Sequence, residues 1–565
     1  MPTITMRYED LSEVRGRKIP LKELEETLPL IKCEVKSVLN GQITVEVNAD
    51  RPDMFSTEGV ARTLKGFLEI ETGCPKYRVK KSKVQIFVTN KVKNIRPFVV
   101  GAIIKNVKLD EEPFLQLLQL QEKLHETLGR KREKVAIGIH NFDVVKPPIT
   151  YTALEPEKIR FVPLDGDRPM TAKEILEETV QGRKYGWIME NLPRYPLLVD
   201  SEGLVLSMPP IINGEATKVT VDTKNLFIDI TGLNEQAVNQ TLNILTTNIV
   251  ERSGTIQSVK VIYPKKSVWT VKLTPKKVKL DVDYFNEISG LNLDIKTTVR
   301  LAKKARFEAK AVKKKIYLTI PPYRCDILHP IDLVEDLIIA YGYNRIEPEL
   351  PKTLTYGREL PKTKFTRKVR ELMVGFGFQE ITSYVLTSLE TQVYRMDLEE
   401  KDDIVELLNP KTSEFSVVRR WLLPELLNFL SHNTHVDYPQ KIFECGEVVV
   451  LDEEAETKTR NELRVAAVIS DYRASYESIQ SIIYMLLKNL KIKEWETIPK
   501  EHPSFLHGRT ASIKIEGEEV AILGEIHPKI LENFEIPNPT VAFELNLTKP
   551  LKIYGQTTEE TSTNF

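Results

Sequence analysis

The chain has 565 residues, far more than one hydrophobic core can organise, so three to five domains are expected. Lysine plus arginine and aspartate plus glutamate both number 80, so overall charge gives no nucleic-acid footprint and any RNA contact must come from local patches or a partner. Cys33, Cys74, Cys325 and Cys445 are scattered without a CxxC, and no apolar run approaches the roughly 18 residues of a membrane span, which argues against a zinc site, a disulfide framework and a membrane protein.

The first 75 residues alternate short strands with a helix. Residues 43–47 read as a strand, and a turn of Asx and Pro residues follows at 48–53. Ser56 has the residue type of an N-cap for a helix over 57–67, with Glu58 in its first turn. Residues 76–92 are basic and strand-like, and 97–250 read as one α/β unit. Its helix, 114–128, sets Leu117, Leu120, Leu124 and Leu128 on one side, with Gly129 as the C′ residue. The run Arg130-Lys131-Arg132-Glu133-Lys134 leads into a strand ending at Gly138-Ile139-His140-Asn141. A second cluster, 207–232, combines tight turns with two strands. Residues 259–280 read as further strands. Seven cations then fall within thirteen residues: Lys303, Lys304, Arg306, Lys310, Lys313, Lys314 and Lys315. Such a run suits a phosphate track or simply a solvated face.

Residues 321–344, PPYRCDILHPIDLVEDLIIAYGYN, place Asp326, Asp332, Glu335 and Asp336 close together. From Asp332 the apolar spacing is helical; Asp332, Glu335 and Asp336 share one face and Val334, Leu337, Ile338 and Tyr341 the opposite one. Two readings stand: oxygen ligands for a hard cation such as Mg2+, or first-turn acids that complement the helix dipole. Beyond residue 355 an amphipathic helix carries Phe365, Val369, Leu372 and Met373, ended by Gly375-Phe376-Gly377. The tail after Leu551 is rich in Thr and Glu, and disorder is expected over 552–565.

Tyr323-Arg324-Cys325-Asp326-Ile327, Asp332-Leu333-Val334-Glu335-Asp336 and Tyr341-Gly342-Tyr343-Asn344, in that order, resemble a segment of phenylalanine–tRNA ligase β subunits. The phrase NADRPDMFSTEGVARTLKG, residues 48–66, resembles a second segment near the N-terminus of the same family, with Ala49-Asp50 inserted and Met54 in place of leucine. The clusters around His140 and 207–232 resemble its editing module, which hydrolyses tyrosine wrongly attached to phenylalanine tRNA. Leu408-Asn409-Pro410, Val418 to Pro424, Asn433, Phe443-Glu444-Cys445-Gly446, His502-Pro503, His507-Gly508-Arg509 and Gly524 to Pro528 resemble its class II synthetase-like domain.

The resemblance implies a mixed α+β and α/β multidomain chain. An N-terminal α/β module is expected over 1–75 and an editing module over 76–255. A small basic module of helix and strand follows over 256–352, then a class II synthetase-like antiparallel sheet domain over 353–551. That last domain lacks a complete ATP grip, because Gly375-Phe376-Gly377-Phe378 follows a helix directly and runs into Gln379-Glu380. It is expected to be catalytically silent, with ATP and phenylalanine bound by an α subunit. Assembly as an (αβ)2 heterotetramer acting on phenylalanine tRNA in the cytoplasm, of the shorter archaeal and eukaryotic type, is implied. The shorter type implies a chain without the extra N-terminal tRNA-binding and C-terminal anticodon-binding modules of the longer bacterial form.

By the same resemblance Asp326, Asp332, Glu335 and Asp336 are the expected Mg2+ ligands. Editing requires a pocket that accepts the tyrosine hydroxyl and an oriented water. The candidates near the two clusters are His140, Asn141, Asn213, Asp229 and Thr231. Two other functions stay open: a free-standing deacylase of mischarged tRNA, and a non-catalytic RNA-binding or assembly scaffold.

Overall fold

A computed structural model of the chain describes residues 2–16, 18–351, 355–399 and 403–554. They form two compact units, 1–350 and 351–565. Of the tail expected to be disordered, 552–554 complete a helix over 548–554, and 555–565 lie outside the described residues.

The first unit opens with a three-stranded antiparallel sheet in which Gln42–Val47 runs between Thr3–Arg7 and Cys33–Leu39. The turn after Gln42–Val47 leads into the helix Thr57–Phe67, whose N-cap is Ser56. Ser56 does not cap through its side chain; its hydroxyl donates to Asn248 Oδ1 at 3.2 Å and so ties this helix to Glu235–Ile249. Leu11, Leu24, Ile43 and Leu64 of this region share one continuous core with Leu120, Ile137, Ile228 and Leu245, so 1–75 has no separate interior.

The central sheet has ten strands. Its order is Ile212–Asn213, Val205–Met208, Tyr195–Val199, Ile149–Leu154, Val79–Val88, Thr255–Ile262, Phe98–Lys105, Asn225–Gly232 and Val135–Asn141, with Ser267–Thr270 added beside Thr255–Ile262. The expected boundary at 255 therefore falls at the start of a strand hydrogen-bonded into the middle of the sheet. It joins Val79–Val88 in parallel and Phe98–Lys105 in antiparallel, pairings that no local sequence pattern announces. One face of the sheet packs Val100, Ile137, Ile228 and Ile230 against the helices Glu111–Glu126 and Glu235–Ile249; the other buries Ile86, Ile103, Tyr151 and Phe227. A third sheet, Lys276–Asp281, Lys315–Ile320 and Glu308–Val312, packs with the helices Val282–Ser289, Ile295–Lys304 and Pro330–Tyr341 around Phe285, Phe307 and Leu337.

The second unit is built on a seven-stranded sheet, ordered Gln379–Glu380, Gln440–Leu451, Thr459–Ser470, Thr540–Asn546, Glu518–Ile526, Phe505–Ile515 and Glu496–Pro499. All pairings are antiparallel except the first. The helices Pro361–Gly375 and Tyr476–Asn489 cover one face around Phe365, Phe443 and Ile483, and Leu423–Ser431 covers the other around Leu426 and Leu427. Gly377, at φ 86°, turns the first helix into Gln379–Glu380, as its glycine predicts.

Candidate functional site

Val135–Asn141 is the edge strand of the large sheet, and an edge leaves backbone groups without ladder partners. Side chains satisfy them here. Ile137 N–H donates to His125 Nε2 at 2.8 Å, and Gln121 Nε2 donates to Ile137 O at 2.9 Å. Because His125 Nε2 accepts, the ring proton sits on Nδ1, which faces Glu122 Oε2 at 3.4 Å. Burial holds the His125 pKa down at about 4, so the ring is neutral and serves as an acceptor at neutral pH.

Around this edge opens a cavity of about 350 Å³. Its apolar wall includes Phe114, Leu117, Leu118 and Ile211; its polar groups include Ser207, Asn213, Thr217, Asp229 and Thr231. The register sets Asp229 opposite Gly138 and Phe227 opposite His140. Glycine is required at 138, since a Cβ there would lie 2.3 Å from Asp229 Oδ1 and 2.7 Å from His140 Nε2. Behind that gap runs a buried chain: Asp229 Oδ1 accepts from His140 Nε2 at 2.8 Å, and His140 Nδ1 meets Thr217 Oγ1 at 2.8 Å. His140 Nε2 donates to the Asp229 carboxylate, and the Thr217 hydroxyl, with one proton to give, lies between His140 Nδ1 and Gly214 O, the latter at 3.3 Å. Ser207 Oγ, 2 % exposed, has no hydrogen-bond partner among the described residues and belongs to the cavity wall.

Four of the five editing candidates are thus assembled, with Asp229, Thr231 and Asn213 lining the cavity and His140 directly behind it. Asn141 is not among the lining residues; its Oδ1 accepts from Asp143 N–H in a turn at the end of the strand. Thr217, Ser207 and His125 were not singled out in the sequence. Glycine at 138 beside an apolar strand was the one local signal that backbone and side chain meet closely there.

The four carboxylates of 326–336 are not assembled around a common point. Arg324 donates from Nη2 to Asp326 Oδ2 at 2.6 Å and to Asp336 Oδ2 at 2.5 Å. Asp332 Oδ2 accepts from Leu328 N–H at 2.8 Å and His329 N–H at 2.7 Å, closing a capping box at the start of Pro330–Tyr341. Glu335 pairs with Lys32 at 2.9 Å. Asp336 is only 5 % exposed, so the acidic face of the helix is buried at this position. Burial raises the Asp336 pKa and opposes charge on Arg324, yet the Asp336 and Asp326 carboxylates hold the guanidinium well above its ordinary value. Among the described residues no group of three or more His, Cys, Asp or Glu is placed to hold a metal ion. Protein cations stand where the sequence suggested Mg2+, and this donor set does not fit the ion as placed.

The basic run 303–315 likewise does not form one face. Arg306 is 5 % exposed and pairs with Glu71 at 3.0 Å, while Lys314 pairs with Asp283 at 3.0 Å. In the second unit the buried charges are matched internally. Arg419 Nη1 donates to Glu444 Oε1 at 2.6 Å, and Arg464 Nη1 to Glu544 Oε1 at 2.9 Å. Glu544 Oε2 also accepts from Leu422 and Leu423 N–H, and Glu425 Oε1 accepts from Thr387 and Gln392.

Three families match in chain order: the B3/4 domain over 120–253, the tRNA synthetase B5 domain over 278–343, and the phenylalanyl tRNA synthetase beta chain CLM domain over 346–547. The phenylalanine–tRNA ligase beta subunit of Pyrococcus horikoshii is 44% identical over 557 residues, 98% of this chain and 100% of that one. That of Pyrococcus furiosus is 44% identical over 558 residues, with the same coverage. A crystal structure of an N-terminal fragment of the phenylalanyl-tRNA synthetase beta subunit from Pyrococcus horikoshii covers 60% of this chain and all of the fragment, at 44% identity and a TM-score of 0.59. The chain belongs to the phenylalanine–tRNA ligase beta subunit family, the subunits of a heteromeric aminoacyl-tRNA ligase.

Proposed function

We propose that this chain acts with an α subunit, as an (αβ)2 heterotetramer in the cytoplasm, to attach phenylalanine to its tRNA, and that its own chemistry is the hydrolysis of tyrosine wrongly attached to that tRNA. The observation that carries the hydrolytic reading is the cavity at the sheet edge, with Asp229 in its wall backed by His140 and Thr217. Ligation belongs to the α subunit, which binds ATP and phenylalanine. In keeping with that division, the buried Arg419 and the half-buried Arg464 of the second unit are committed to glutamates.

Selection follows from hydrogen-bond accounting. Asp229 Oδ1 is occupied by His140, and its second oxygen is left to accept from a phenol hydroxyl. Phenylalanine would enter the same apolar space but leave a desolvated carboxylate oxygen unpaired, a penalty that a missing methylene never produces. Thr217 lines the cavity, and its hydroxyl oxygen, whose proton serves His140 or Gly214, keeps the capacity to accept from a water or the substrate amine. In the reaction the water oxygen bonds to the tyrosyl carbonyl carbon, the ester C–O bond to the terminal ribose breaks, and the water's proton ends on the ribose oxygen. Free tyrosine and uncharged tRNA result.

The test is Asp229→Asn in the complex with its α subunit. Asparagine keeps the shape and replaces an anionic acceptor by an amide, so kcat/KM for tyrosyl-tRNA should fall by roughly 100-fold, the worth of one charged hydrogen bond. Retention of wild-type selectivity for tyrosyl over phenylalanyl ester by this variant would refute the assignment.

A further inference from the structure

The editing reading leaves unexplained the turn that joins the helix Glu111–Glu126 to the edge strand. Arg130, Lys131 and Arg132 have φ values of 47°, 54° and 71°. Three consecutive side-chain-bearing residues in the left-handed region are unfavourable, and such strain persists only where the surroundings over-determine it. The sequence offered Gly129 for that conformation. Instead Gly129 is needed for close approach, since a Cβ on it would lie 2.5 Å from His125 O and 2.6 Å from Val135 O, and the strain is carried by the cations.

The turn is clamped from beneath by Arg96, a residue 3 % exposed. Its Nη1 donates to Glu133 O at 2.8 Å, its Nη2 to Arg132 O at 3.2 Å and Thr231 O at 2.9 Å, and its Nε to Thr231 Oγ1 at 2.9 Å. Thr231 and Arg132 both line the cavity, so one buried guanidinium fixes the turn to the cavity wall. Arg132 in turn donates to Ile211 O at 2.9 Å and Glu122 Oε2 at 3.2 Å, and lies 4.4 Å over the Tyr185 ring. Lys184 approaches the same ring at 5.1 Å. Arg130 and Lys131 project from this rigid turn, are exposed, and pair with no carboxylate among the described residues.

We propose that Arg130 and Lys131 form a phosphate seat beside the cavity, contacting the backbone of the single-stranded 3′ end whose terminal ester enters it. The inference rests on the editing reading and adds the surface that delivers its substrate. Two free cations held in fixed orientation next to a cavity suit a polyanion that must present one terminus. Contacts of this kind set register without reading bases.

The experiment uses the complex with its α subunit and follows deacylation of tyrosyl-tRNA against salt. The double variant Arg130→Ala/Lys131→Ala should raise KM about tenfold with kcat within about twofold, because positioning contacts are lost and the reacting groups are untouched. The slope of log KM against log salt should shrink by roughly 1.4, about 0.7 for each of two phosphates on a single strand. The charge-conserving Arg130→Lys/Lys131→Arg variant should keep the wild-type KM. If wild-type enzyme deacylates while the alanine variant keeps its KM and salt slope, or if the conservative variant loses KM as the alanine one does, the phosphate seat is overturned and the editing reading stands. A wild-type complex that does not deacylate tyrosyl-tRNA overturns the editing reading and the seat with it.

Discussion

At the scale of single residues, His125 shows how an interior group serves a site without touching substrate. It supplies the acceptor that the edge strand lacks at Ile137, and burial keeps it neutral with a pKa near 4, against an ordinary 6.5. The unfolded chain takes up this proton near pH 6.5 and the folded chain only near 4, so the stabilisation is complete above about 6.5 and lost as pH falls towards 4. A depression of that size corresponds to roughly 3 kcal/mol. His125→Leu should cost about 1–3 kcal/mol at neutral pH, by stranding Ile137 N–H, and should flatten this part of the pH dependence; unfolding of both proteins at pH 7.5 and pH 5 checks it. Residue chemistry was partly legible in the sequence. His140, Asn213 and Thr231 stand near strand ends, where polar residues invite a functional reading, and Asp229 is a lone acid inside the apolar strand Asn225–Gly232. Thr217 and Ser207 were not legible, because what gives them meaning is a cavity formed by strands far apart in the chain.

At the scale of elements, the helix Pro330–Tyr341 answers the opening question about its carboxylates. Asp332 serves the helix start, Glu335 reaches Lys32, and Asp326 with Asp336 shares the Arg324 guanidinium. The helix and its acid spacing were readable from periodicity. The counter-ions were not, since Lys32 lies about three hundred residues upstream and Arg324 reads locally as one more exposed cation. Removing Arg324 leaves Asp326 and Asp336 facing each other without their hydrogen-bonded cation, with only Arg51, itself paired to Asp53, left nearby. Arg324→Ala should therefore destabilise the first unit by about 3–5 kcal/mol in a denaturant titration, whereas excess EDTA should leave the wild-type transition of the isolated chain in place. Strand existence was legible too, but strand order was not. Thr255–Ile262 enters the centre of a sheet whose other members, Ser267–Thr270 apart, precede it, a placement governed by tertiary packing rather than by its own pattern.

For the molecule as a whole, overall charge neutrality hides a division of labour. The first unit pairs its buried charges internally, as Arg324 with Asp326 and Asp336, and also keeps the cavity at its sheet edge. The second unit resolves its buried charges among themselves, as in Arg419 with Glu444 and Arg464 with Glu544. Among the described residues no helix is long and apolar enough to cross a membrane. The expectation that the synthetic reaction belongs to a partner rests on the missing ATP grip, a sequence feature that needs no coordinates. The most direct measurement is phenylalanine-dependent ATP–pyrophosphate exchange by this chain alone and by its complex with the α subunit. Exchange should appear only in the complex; exchange catalysed by the isolated chain would contradict the assignment of ligation chemistry to the partner.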